Sequence, residues 1–186
     1  MLLSFHQATA SDLPTVLGAL DEAAAWLKSR SIRQWPDRFS DANDWRMSRI
    51  SKYVSEGRTW LVRAHSKPIA TFSLTNIADP DYAEGWPGGP DRSLYIFRIA
   101  VRRTWSGRDI GSRILDWASM RASAGDGLWL RLDCHRDNLD LQQYYEARGF
   151  DRVNTLVKTI DDQGRPYTRG SGALYQRPAG TLYSPS

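Results

Sequence analysis

Cysteine is almost missing from this 186-residue chain: Cys134 is the only one. A single thiol rules out an internal disulfide and leaves no cysteine spacing from which a metal site could be built. Histidine is nearly as sparse, and His6, His65 and His135 stand far apart, so no metal is expected. Long apolar runs are lacking too. No stretch approaches the length of a membrane span, and residues 1 to 9 lack the basic and apolar regions of a signal peptide. The expectation is a cytoplasmic protein with no membrane partner. Lysine is confined to Lys28, Lys52, Lys67 and Lys158, so arginine carries most of a net charge of +4. The arginines are scattered, with no basic run of five or more, which differs from the stripe or tail of a nucleic-acid-binding protein. Small anionic ligands suit that distribution, and no nucleic acid partner is expected. Repeats and low-complexity tracts are absent as well.

What remains reads as an ordinary globular chain, with 41% hydrophobic and 25% charged residues. One domain over residues 1–177 is expected, with 178–186 as a flexible tail. Leu2 to Gln7 reads as a first strand. Ser11 is placed to cap a helix that tolerates Pro14 in its first turn and buries Leu13, Val16, Leu17, Leu20, Ala24 and Leu27. A second helix is predicted from Asp41 to Ser55, with Trp45, Ile50 and Val54 inward. Thr59 to Ala64 and Pro68 to Leu74 form a hairpin, and a long loop covers 76 to 91. A strand from Ser93 to Val101 precedes a helix over Gly107 to Ser123. Leu128 to Cys134 is a strand, Leu139 to Arg148 a helix, and Val153 to Ile160 and Gly172 to Gln176 are the last strands. The order β-α-α-β-β-β-α-β-α-β-β defines an α/β fold with a mixed sheet and helices on both faces.

The most informative stretch is Ile99-Ala100-Val101-Arg102-Arg103-Thr104-Trp105-Ser106-Gly107-Arg108-Asp109-Ile110-Gly111-Ser112. A strand, a tight basic turn and a helix start aim backbone N–H groups and a positive dipole end at one anion. Gly107 and Gly111 permit close approach to the main chain. Arg102, Arg103, Arg108 and Arg113 add charge. Two glycines are too few for the dinucleotide fingerprint, and Gly111-Ser112-Arg113 is not a Gly-Lys-Ser/Thr triphosphate loop.

The segment instead resembles the acyl-CoA pyrophosphate loop of the GNAT superfamily of N-acyltransferases, whose usual run ends in Arg-Gly-x-Gly-x-Gly or Ala. Ala100-Val101, Gly107, Ile110 and Gly111 match. Ser106 stands where the family prefers Arg or Gln, and Asp109 where it prefers Gly; an Asp side chain facing a pyrophosphate would repel it, so Asp109 should point away or cap the helix. A second match, independent of the loop, is Asn138-Leu139-Asp140-Leu141-Gln142-Gln143-Tyr144-Tyr145-Glu146-Ala147-Arg148-Gly149-Phe150. It is similar to the family's Asn-x-x-Ala-x-x-Leu-Tyr-Glu-Lys-Leu-Gly-Phe segment. The order of elements is also that of the family over nearly the whole chain.

The resemblance implies acetyl-CoA as co-substrate, held by Ile99, Ala100 and Val101 along a strand edge, by Ser106 to Ser112 around the pyrophosphate, and by Asn138 near the pantetheine arm. Ser106, Gly107, Arg108, Asp109, Ile110, Gly111 and Ser112 are thus the candidate loop contacts. It implies Tyr145 as general acid to the departing thiolate, a step a phenol can serve, and a main-chain N–H near Arg98 to Ala100 for the oxyanion. It also implies that the fourth and fifth strands splay. Asn138 is, on the residues alone, a helix N-cap.

The strand Ser93 to Ile99 has no carboxylate to deprotonate an ammonium, and Asp133, Asp81, Glu84 and Asp91 suit solvated or structural roles, so no base is assigned. Cys134 and His135 are neighbours on a strand and point to opposite sides, which disfavours a nucleophile pair. Gln34, Trp35, Tyr82 and Trp86 lie in the loops which in the family wall the acceptor pocket, and would suit an apolar or aromatic amine. The chain is read as an N-acetyltransferase acting on a small primary amine by direct attack. A protein N-terminus or aminoacyl-tRNA as acceptor, and a CoA-sensing module without turnover, stay open beside it. The sequence is silent on assembly; dimers are common in the family, so a homodimer is the assembly the resemblance suggests.

Overall fold

The computed structural model describes residues 1–41, 45–155, 158–160, 163–168 and 171–183. Its elements run β1 (Leu3–Gln7), α1 (Leu13–Ser29), α2 (Trp45–Ser55), β2 (Thr59–Ala64), β3 (Lys67–Thr75), β4 (Ser93–Val101), α3 (Ile110–Ala124), β5 (Trp129–His135), α4 (Leu139–Glu146), β6 (Asp151–Thr155), β7 (Lys158–Ile160), β8 (Pro166–Thr168) and β9 (Ser171–Pro178). Seven strands in the order β1-β2-β3-β4-β5-β9-β6 form a mixed, mostly antiparallel sheet flanked by helices. The expected α/β class and element order are therefore present. The addition is β8, between the last two expected strands; it pairs antiparallel with β7, the far end of the strand expected over 153–160, in a two-stranded sheet of its own. Residues 42–44 at the expected start of the second helix, 156–157 inside the expected strand 153–160, and 184–186 of the expected tail lie outside the described residues. No described helix is long and apolar enough to cross a membrane.

The chain comprises two compact units. One comprises Met1–Leu74 with Phe97–Gly111, the other Thr75–Ile96 with Ser112–Ser186. In the first, β1 and β2 pair antiparallel from Leu3–Ala64 to Gln7–Trp60. The β2-β3 hairpin turns at His65, whose φ is +54°. Val16, Leu17, Leu20 and Ala24 of α1 are buried with Ile50, Val54, Leu61 and Ala100. Each large aliphatic side chain so buried contributes roughly 1.5–3 kcal/mol. The start of α1 differs from expectation: Thr9, not Ser11, caps a short 3₁₀ turn in a reciprocal box with Asp12, and α1 follows with Pro14 in its first turn. Trp45 is exposed rather than inward, its ring covered by the Arg46 guanidinium 4.9 Å away.

In the second unit β4 and β5 run parallel, and their ladder spans Ser93–Trp129 to Tyr95–Arg131. β9 pairs antiparallel with β5 on one side and β6 on the other. Two arginines, Arg131 on β5 and Arg177 on β9, are fully buried, an arrangement that charge patterning in the sequence does not disclose. Hydrogen bonds reach residues of the last segment as far as Tyr183. The N–H groups of Ala179 and Gly180 donate to Leu128 and Ser119, and that of Tyr183 donates to the Asp116 carboxylate.

Candidate active site

The anion loop lies in the first unit as far as Gly111. β4 does not run regularly into it: Arg98 adopts φ +53° in the middle of the strand. A left-handed, non-glycine residue there breaks the alternation of the strand and stores strain of a kind that collects at functional sites. It falls where the sequence placed the oxyanion donor. Its guanidinium lies 5.9 Å from the Tyr53 ring and 5.6 Å from the Phe97 ring, and those two rings meet edge to face at 5.2 Å. Beyond it, Ala100 is buried in the core while Ile99 and Val101 are half-exposed.

A 3₁₀ turn over Arg103–Trp105 then leads to Ser106 and to Gly107 at φ +75°. A Cβ on Gly107 would meet nothing within 4 Å, so glycine is required there by the backbone angle and not by crowding. Among the described residues the N–H groups of Gly107 and Arg108 have no acceptor within the chain. Ile110 and Gly111 open α3, where the first N–H groups of a helix have no intrahelical partner. The donor set is thus one of main-chain N–H groups beside a dipole end, which suits a pyrophosphate.

Asp109 resolves the loop's oddest residue. Its φ is +56°, a conformation that glycine takes freely and that Asp and Asn tolerate better than other residues. The family's glycine and this chain's Asp answer the same backbone demand. Asp109→Gly is accordingly expected to leave the urea midpoint unchanged or raised, whereas Asp109→Val costs about 1–3 kcal/mol in the same titration.

The four loop arginines divide. Arg102 is not an anion ligand: its Nη1 donates to the Gly18 carbonyl at 3.0 Å and the Glu22 carboxylate at 2.9 Å. Glu22 also accepts the Arg103 N–H at 2.6 Å. One acidic residue of α1 therefore anchors the base of the loop. Burial alone would raise its proton affinity, but the Arg102 hydrogen bond, the Arg103 N–H and the two positive charges hold its carboxyl below the ordinary glutamate range. Because that pKa is lowered on folding, the contribution is present above about pH 4.3 and is lost as pH falls through the folded value. The protection of the Arg103 amide, relative to its intrinsic exchange rate, is expected to fall as Glu22 is protonated below the ordinary glutamate range, and that step should vanish in Glu22→Gln. Arg103 and Arg108 are exposed and rest on rings, 4.3 Å from Trp26 and 4.8 Å from Trp105.

Of the acceptor candidates, Gln34 and Trp35 belong to this unit and are half-exposed. Trp35 packs edge to face on Phe39 at 5.3 Å. Asp21, a residue the sequence did not single out, ties their loop to α1 by accepting the Phe39 N–H at 2.6 Å and the Ser40 N–H at 3.2 Å.

Asn138 and Tyr145 lie in the second unit. Asn138 caps α4 as expected, its Oδ1 accepting the Leu141 N–H at 3.2 Å. Ser112 is buried and its hydroxyl accepts a hydrogen bond from Arg148 Nε, which leaves its main chain rather than its side chain for a ligand. Glu146 accepts the Tyr175 hydroxyl at 3.0 Å and so locks α4 to β9. Tyr145 is 8% exposed. Its ring meets Tyr144, Phe150 and Tyr175 at 5.6, 5.8 and 6.2 Å. Among the described residues its hydroxyl has no hydrogen-bond partner. Burial above all, with the nearby Cys134, Tyr144 and Asp133, pushes its pKa well up, so it is a phenol and not a phenolate.

Tyr82 and Trp86, the other two acceptor candidates, lie in the second unit. They are 4% and 5% exposed and are packed with Tyr95 and Leu174, which leaves little of either ring to face an amine. Their segment also contains a 3₁₀ turn, Pro80–Gly85, capped by Asp79. The reason is Arg131, which reasoning from sequence missed because a basic residue in a strand reads as exposed. Its guanidinium donates to the carbonyls of Gly89 at 2.6 Å and Pro87 at 2.9 Å, to Gln176 at 3.2 Å and to the Tyr95 hydroxyl at 3.4 Å. It also lies 5.0 Å from the Trp86 ring. Asp133 accepts the Ser171 hydroxyl, a structural use. Cys134 is buried with its thiol pushed up to about 12 by burial first and the Asp133 charge second. Asp137 N–H donates to His135 Nδ1 at 3.3 Å.

The acetyltransferase (GNAT) family model matches residues 20–150. The chain belongs to the GNAT acetyltransferase family, a family of acyltransferases. It is similar to the uncharacterized N-acetyltransferase YesJ of Bacillus subtilis (strain 168), with 26% identity over 143 residues, 75% of this chain and 77% of that one. Among solved structures, a GNAT-family acetyltransferase from Listeria monocytogenes 4b F2365 superposes with a TM-score of 0.70 at 20% identity, covering 95% of this chain and 94% of that one. The PaiA N-acetyltransferase of Thermoplasma acidophilum, solved with coenzyme A, gives 0.58 at 18% identity over 96% and 99%. Such identities speak for the fold alone.

Proposed function

We propose that this protein transfers the acetyl group of acetyl-CoA to a small primary amine by direct attack. The observation that carries the reading is the Tyr145 hydroxyl. Packing among three aromatic rings is served as well by Phe, so the hydroxyl is what the site gains from a tyrosine. It has no hydrogen-bond partner among the described residues and is not sealed from solvent, and the ring's burial keeps it protonated, which suits a proton donor. As the amine nitrogen bonds to the thioester carbon and the carbon–sulfur bond breaks, the proton of Tyr145 goes to the departing thiolate and is replaced from solvent. The ammonium formed gives its excess proton to water.

The CoA family of ligands fits the loop's donors. The main chain of Gly107 to Ser112 would hold the pyrophosphate, with Arg103 and Arg108 as exposed countercharge. Ile99 and Val101 would pair with the pantetheine amides as a strand edge pairs with a peptide. Gln34 and Trp35 are the acceptor contacts this reading retains, and their half-apolar character favours an amine with an apolar or aromatic body. Thiol release from acetyl-CoA across a panel of amines tests the proposal. Turnover on small aromatic or alkyl amines supports it; turnover only on peptide N-termini moves the acceptor class. Tight binding without turnover on any acceptor leaves a sensing module.

A further inference from the structure

Phe150, against which Tyr145 packs, is itself held from behind by the end of the chain. Gly149 has φ +74°, and a Cβ built on it would fall 2.1 Å from Cζ of Tyr183. The Tyr183 ring therefore lies directly on the Gly149 main chain. Its own N–H is fixed by both oxygens of Asp116 at 3.1 and 3.2 Å. Asp116 also accepts Arg177 Nη2 at 3.1 Å. Arg177 is fully buried, and its guanidinium carbon lies 5.2 Å from the Tyr183 ring and 4.9 Å from the Phe150 ring. Nη1 of the same arginine donates to the Arg148 carbonyl at 3.0 Å. Phe150 in turn meets Tyr145 edge to face, and its N–H donates to the Tyr145 carbonyl at 3.2 Å. Tyr183, Arg177, Phe150 and Tyr145 thus form one continuous chain of contacts.

We infer that Tyr183 is a positioning residue for Tyr145. α4 has only eight residues, and a helix that short gains little rigidity from its own hydrogen bonds. The orientation of Tyr145 depends on what braces the turn that follows, and Tyr183 is the outermost brace. The inference rests on the proposed acid role of Tyr145. An energetic link of this kind is revealed by non-additivity.

The experiment is a double-mutant cycle on full-length protein. kcat and both KM values are measured for wild type, Tyr183→Ala, Tyr183→Phe, Tyr145→Phe and Tyr183→Ala/Tyr145→Phe, with urea unfolding to confirm folding. Tyr183→Ala should lower kcat about tenfold, since small displacements of a reacting group are costly, with both KM values within about twofold of wild type. Tyr183→Phe, which keeps the ring and the main-chain N–H, should restore kcat. In the Tyr145→Phe background Tyr183→Ala should have no further effect. An equal loss in both backgrounds, a loss confined to KM, or no loss would overturn the inference while leaving the acid role standing. A Tyr145→Phe enzyme as fast as wild type would overturn both. If Tyr183→Ala does not fold, Tyr183→Leu, which covers Gly149 without a planar ring, replaces it under the same criteria.

Discussion

Tyr145→Phe is expected to lower kcat by about a hundredfold or more, the range in which a general acid contributes, with acetyl-CoA affinity unchanged. Stability should barely move. The hydroxyl makes no hydrogen bond among the described residues, and the ring contacts with Tyr144, Phe150 and Tyr175 survive in Phe. The loss in rate can therefore be assigned to the missing proton and not to misfolding. The pH profile provides a second check. Since folding raises the pKa of this phenol, Tyr145 stays protonated through neutral and mildly alkaline solution, and kcat should show no falling limb from it below about pH 10. The sign for stability follows from linkage. A raised pKa means that the stabilisation is complete below the ordinary tyrosine value and fades as pH rises past it. Tyr175, shifted upward by burial and then by its hydrogen bond to Glu146, acts in the same direction. The native state should weaken above about pH 10, and less so in Tyr145→Phe. An unaltered kcat in that variant would end the acid assignment.

The largest loss of stability should come from Arg131→Ala. The guanidinium binds two loop carbonyls, a side-chain amide and a phenol from a fully buried position. Removing it strands those acceptors and opens a cavity, at a combined cost of about 3–5 kcal/mol. Arg131→Lys should recover less than half, because an ammonium is a point donor and cannot span Pro87, Gly89 and Gln176 at once. The damage should be local at first. Arg131 is the side chain that ties Pro87 and Gly89, and among the described residues Trp86 Nε1 has no acceptor, so protease cleavage should appear near the exposed Pro87-Gly88 peptide. Urea unfolding and limited proteolysis read both effects; wild-type resistance in Arg131→Ala would show that the loop is held by other means.

How much could be read in advance follows from what each residue type signals. The stripe of α1, the hairpin at His65 and the Asn138 cap are local, and periodicity or one side chain declares them. The bounds of β4 were legible for the same reason. Arg98 was not, since nothing in Phe-Arg-Ile announces a left-handed residue within a strand. Ser11 misled because Thr9 and Asp12 cap more effectively together. Tyr82, Trp86, Arg131 and Arg177 show the limit of reading chemistry from composition. Aromatic residues in a long loop resemble pocket walls until a distant arginine, 45 to 49 positions away for Trp86 and Tyr82, turns them inward. Asp109 is the opposite case: it departs from the family pattern, and only its backbone angle explains why the departure is tolerated.

The buried thiol has a consequence for a protein of this chemistry. Thioesters acylate thiolates, and a freed CoA thiol exchanges with protein disulfides. Cys134 is 3% exposed, and burial pushes its thiol up to about 12, so at neutral pH it is a thiol and not the reactive thiolate. Such a thiol would offer the proposed thioester donor no competing nucleophile, so neither acetylation of Cys134 nor a mixed disulfide with the released thiol is expected.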